Sequence, residues 1–87
     1  MSTRLALAAV KDSHEGPWQR ARGHEAGIQI KGLGMGEVVT LEYDGGSPIT
    51  FFQDGNYPFP KPTKRFRFIK QASLFDNKET FVQVVLK

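Results

Sequence analysis

The 87 residues contain no cysteine, which excludes disulfide staples and thiolate metal sites. No apolar run approaches the ~18 residues of a membrane-spanning helix. The opening RLALAAV is shorter than the ~7–15 apolar residues of a signal-peptide core, and a charged KDSHE follows it. The expectation is a soluble protein without a membrane partner. There are only two histidines, His14 and His24, and one tryptophan, Trp18. A chain of this length buries roughly two thirds of its unfolded surface, enough for one small core, so residues 1–87 are expected to form a single domain. Small domains without staples often rely on association with partners or with copies of themselves.

Acidic residues are missing from one long stretch. Between Gly55 and Phe75 stand Lys61, Lys64, Arg65, Arg67 and Lys70, with no aspartate or glutamate. Within a net charge of +3, this asymmetry fits either an anionic partner surface or a solvated basic face.

Helical periodicity is also lacking; the apolar residues alternate with the period of a strand. Ile28 and Ile30 share one face of Gly27–Lys31, and Val39, Leu41 and Tyr43 share one face of Glu37–Tyr43. Phe66 and Phe68 alternate with Arg65 and Arg67, and Thr80, Val82, Val84 and Leu86 line one face of the last run. Arg4–Val10 and Ile49–Gln53 are further strand candidates. Asp44-Gly45-Gly46-Ser47-Pro48, Asp54-Gly55-Asn56 and Asp76-Asn77-Lys78 carry turn chemistry, and Pro58, Pro60 and Pro62 favour an extended path. Residues 11–26 lack a period and read as a loop or arm. Six or seven short strands predict an all-β fold: a small immunoglobulin-like or jelly-roll-type β-sandwich, or alternatively a small β-barrel, with an irregular N-terminal segment. The predicted core is Ile28, Ile30, Val39, Leu41, Tyr43, Phe66, Phe68, Val82, Val84 and Leu86.

Gly32, Gly34 and Gly36 invite a phosphate-loop reading. A dinucleotide fingerprint needs a helix after its glycines, since the helix N-terminus supplies donors to the pyrophosphate. Here EVVTLEY follows, which is strand-like, so the glycines are assigned to a turn.

Catalytic and metal constellations are not found either. His14-Glu15 and His24-Glu25 lack the further ligands a metal site needs, and Ser13 beside His14 has no third member. No cofactor, no metal and no enzymatic activity are expected. Trp18, in Gly16-Pro17-Trp18-Gln19-Arg20, either caps the end of the core or anchors a partner. NYPFPKPTKRFRFIK mixes rings and cations as single-strand nucleic-acid binders do. Strand alternation turns Phe66 and Phe68 inward, however, and stacking would require Tyr57 and Phe59 to stand exposed beside the arginines.

The order GEVVTLEYDGG, ITF, DGNYPFPKPTKRFRF and FVQVVLK resembles the small all-β structural proteins of tailed bacteriophages, over about Ile28 to Lys87. The proline-rich YPFPKP departs from that pattern. The resemblance implies a virion component made in the host bacterial cytoplasm, most simply a capsid cement or decoration protein in many copies or as a homo-oligomer. Its partners would be the major capsid protein or other virion proteins. A head–tail or tail accessory role, or a small nucleic-acid-binding domain using residues 61–70, are the alternatives. The expected partner-binding residues are Arg65, Arg67, Lys61, Lys64, Lys70 and Trp18, with Arg65 and Arg67 on one outward face.

Overall fold

The structure is a computed structural model that describes residues 15–71 and the strand segments 4–7 and 81–86. Eight strands appear in chain order: β1 (Arg4–Leu7), β2 (Gln19–Arg20), β3 (Glu25–Lys31), β4 (Val38–Tyr43), β5 (Ile49–Phe51), β6 (Gly55–Tyr57), β7 (Arg65–Gln71) and β8 (Phe81–Leu86). They form two four-stranded antiparallel sheets, ordered β1-β8-β3-β6 and β2-β7-β4-β5. The sheets do not close into a barrel, so the sandwich alternative holds and the barrel alternative does not. The described residues contain no helix, hence none long and apolar enough to cross a membrane.

The alternation of side chains carries the packing. Leu41 lies opposite Phe68 and Tyr43 opposite Phe66 across β4–β7, while Ile28 and Ile30 oppose Val84 and Val82 across β3–β8. A one-residue slip in either pair would turn the whole apolar set toward water, so these registers are strongly specified. Nine of the ten expected core positions are described. Eight of them are buried, and Tyr43 is half-buried against the cluster; the side chain of Leu86 lies outside the described residues.

Two core members fall where alternation alone gave no signal. Phe51 is buried at the end of β5, and Phe59 is buried between Pro58 and Pro60. The prolines hold the chain extended, and the Phe59 ring meets Phe66 edge-on, with ring centres 5.2 Å apart. Phe66 packs likewise on Phe68 at 5.8 Å. Each such fully buried side chain contributes about 1.5–3 kcal/mol relative to its exposed state.

The expected loop at 11–26 is structured from Glu15 onward. Glu15 bridges to Ile69, the Gly16 amide donates to the Phe68 carbonyl, and Gln19–Arg20 pairs with the start of β7. Residues 11–14 lie outside the described set, as do 8–10 and the expected turn at 76–78. The expected turn at Asp54–Asn56 is shorter, because β6 begins at Gly55 and pairs with β3.

Strand directions give the sandwich two distinct ends. At one, the connections β3–β4 and β5–β6 both cross between the sheets. Here Asp54 accepts hydrogen bonds from the Gly32 and Leu33 amides at 3.0 and 2.8 Å. Glu37 accepts one from the Gly34 amide at 2.5 Å. Gly32 and Gly36 adopt φ of +85° and +79°, values that L side chains rarely reach. The three-glycine stretch is therefore a turn, and Asp54 and Glu37 already occupy the amides of Gly32, Leu33 and Gly34. At the other end lie residues 21–24, the β4–β5 turn and the chain entering β7.

Candidate functional site: the outer face of the second sheet and its basic end

Arg65, Arg67 and Ile69 project from the outer face of β7 because Phe66 and Phe68 point inward. Trp18, directly before β2, lies across this face. The guanidinium carbons of Arg67 and Arg65 are 4.8 and 5.1 Å from its ring centre. Cation–π contacts of this kind contribute roughly 0.5–1 kcal/mol each at exposed sites. Trp18 stays 43% exposed, so it does not cap the core; it is held as an outward-facing aromatic.

The acids that residues 55–75 lack in sequence are supplied in space by other segments. Arg67 Nη1 is 2.7 Å from Glu15 Oε2, and its Nε donates to Glu42 Oε1 at 2.7 Å. Glu42 is the cross-strand neighbour of Arg67. Arg65 Nε lies 3.7 Å from Asp44 Oδ2, while Asp44 Oδ1 accepts the Arg65 and Lys64 amides at 2.6 and 2.9 Å. The hydrogen bond from the Arg65 amide leads the causes that hold the Asp44 carboxyl below its ordinary pKa of 3.8. The expectation of arginines without compensating acid is thus corrected: the face alternates in sign, and Arg67 is already doubly paired.

Lys70 does not belong to this surface. It continues the inward parity of Phe66 and Phe68 and pairs in register with Val39, so its side chain is wholly buried. Its Nζ lies 3.3 Å from Oε2 of Glu37, which is equally buried. A buried ammonium requires such a partner, since desolvation of an isolated charge costs several kcal/mol.

Among the described residues, every exposed cation except Lys31 gathers at the basic end. Arg20, Arg22 and Lys64 join Arg65 around an open cleft of about 520 Å³ whose rim includes Asp44 and Thr63. Lys61 lines a neighbouring cleft with Phe59 and Pro60. Arg20 and Arg22 were missed because their segment shows no periodicity. The available signal was their spacing of two in QRAR, which places both on one side of an extended chain.

Tyr57 and Phe59 do not provide a stacking platform. Phe59 is buried, and Tyr57 is half-buried in the other sheet with its hydroxyl donating to the Gln53 carbonyl. Among the described residues no group of three or more His, Cys, Asp or Glu side chains is placed to hold a metal. His24 is exposed and His14 lies outside the described residues. At the opposite end Met35 and Phe52 are 99% and 68% exposed on the two loops that Asp54 ties together. No protein-family model, curated protein or solved structure matches this chain.

Proposed function

We propose that the protein is a non-enzymatic adhesion module of a tailed-bacteriophage virion, most simply a capsid cement or decoration protein. The observation that carries this reading is Trp18, exposed yet fixed against Arg65 and Arg67 on a rigid sheet face. Tryptophan and arginine dominate the energetic centres of protein interfaces, and a ring already ordered by its neighbours loses little entropy on docking. The resemblance of residues 28–87 to phage structural proteins supplies the virion context. The mechanism is attachment: bound copies bridge neighbouring capsid subunits and oppose their separation by mass action. A head–tail or tail position uses the same surface and the same chemistry.

The second reading, a nucleic-acid-binding domain, rests on the exposed cations at the basic end. It is weakened by the burial of Lys70 and Phe59 and by the internal pairing of Arg67. The test is co-sedimentation with purified capsids that lack the protein, run beside binding to bare duplex DNA at two salt concentrations. Saturable capsid binding with weak DNA binding supports adhesion. Tight DNA binding that collapses between about 50 and 200 mM salt, without capsid binding, replaces it with the second reading.

A further inference from the structure

We infer that the cleft at the basic end is a docking site for an acidic, extended segment of a partner protein. The inference deepens the adhesion reading and rests on it for the partner being a protein.

Charge is the first argument. Arg20, Arg22, Lys64 and Arg65 converge on one opening, and Arg20, Arg22 and Lys64 have no ion-pair partner among the described residues. The single acid on the rim, Asp44, is already engaged by two amides and by Arg65. The cleft therefore presents an excess of positive charge to whatever enters it.

The donors that remain decide between carboxylate and phosphate. Phosphate sites are typically built from converging backbone amides. Here four of the lining amides are already engaged: Ala21 donates to the Lys64 carbonyl, Arg22 to Glu25 Oε1, and Lys64 and Arg65 to Asp44. The Thr63 hydroxyl donates to the Pro60 carbonyl. The side chains that stay available are two guanidinium forks and an ammonium, which match separate carboxylates spaced along a chain.

Continuity is the third argument. Arg65 both lines the cleft and stacks on Trp18, so a segment leaving the cleft along β7 passes directly over the exposed indole. A peptide with acidic residues followed by an apolar side chain satisfies both features. A bare polyphosphate satisfies only one.

The experiment uses the full chain and a dye-labelled peptide of eight glutamates followed by phenylalanine, at roughly physiological salt where long-range attraction is screened. A single-stranded DNA octamer serves as the phosphate probe. Two charge-matched variants are compared: Arg22→Glu in the cleft and Lys31→Glu, exposed on β3 in the other sheet. Peptide binding is expected to weaken about tenfold or more in Arg22→Glu and less than about twofold in Lys31→Glu, with the DNA octamer bound more weakly than the peptide. Equal losses in both variants, or no peptide binding, overturn the proposal. DNA binding as tight as the peptide and equally sensitive to Arg22→Glu overturns it in favour of a phosphate site. If the peptide binds as expected while capsids are ignored, the cleft stands and the capsid assignment falls.

Discussion

Lys70 Nζ lies 3.3 Å from Glu37 Oε2 with neither side chain exposed to solvent, a buried ion pair beside the cluster of aliphatic and aromatic residues that forms the core. The pair joins β7 to the glycine turn, because the other Glu37 oxygen accepts the Gly34 amide. Lys70→Met leaves a buried carboxylate facing an apolar group and should cost about 3–5 kcal/mol. Adding Glu37→Gln removes that charge while keeping an acceptor for Gly34, so the double variant should be more stable than Lys70→Met alone. Urea denaturation of wild type, Lys70→Met, Glu37→Gln and the double variant checks this. A double variant as unstable as the sum of the singles would contradict a coupled pair.

That pair is legible in the sequence through the parity of its two residues. The alternation that places Phe66 and Phe68 inward also places Lys70 inward, and the one that buries Val39 and Leu41 also buries Glu37. Charge argues for the surface where parity argues for the interior, and in the fold two opposite charges of inward parity meet. The strands containing Ile28, Val39, Phe66 and Val82 were readable because each buries one face. Phe59 was not, since its placement depends on prolines rather than on alternation. The acids that neutralise Arg67 were equally hidden. Glu42 reaches it across a strand pair and Glu15 from a segment without periodicity. Charge reversal at Arg67, harmless on alternation alone, would in fact gather three carboxylates.

Asp44 organises the entry to β7 through the Lys64 and Arg65 amides. Its carboxyl is held below 3.8 in the folded chain, so it favours folding when ionised. That contribution is fully present above the unfolded pKa and is lost as pH falls through the lower folded value. Wild type should therefore exceed Asp44→Asn in stability at neutral pH, with the gap closing only in strongly acidic solution. Chemical denaturation of both proteins over a series of pH values measures it. A gap that persists unchanged to the lowest pH would contradict the role of the carboxylate.

Gly45 and Gly23 offer a controlled comparison. Both adopt positive φ, +134° and +85°. A Cβ at Gly45 would sit 2.7 Å from the Pro62 carbonyl oxygen, while one at Gly23 meets nothing within 4 Å. Gly23→Ala should cost about 1 kcal/mol from backbone strain alone. Gly45→Ala should cost more, roughly 2–3 kcal/mol, since backbone must also move. Thermal unfolding ranks the two, and a reversed order would count against the turn geometry.

The central claim is attachment through the Trp18 face, and occupancy of capsids lacking the protein tests it most directly. Trp18→Ala leaves the buried core untouched and should retain the fold, as circular dichroism would verify. Its apparent affinity for the particles should fall by more than about tenfold relative to wild type, the effect of losing an interface anchor. Equal occupancy by wild type and Trp18→Ala, or no saturable binding by wild type, would contradict the account.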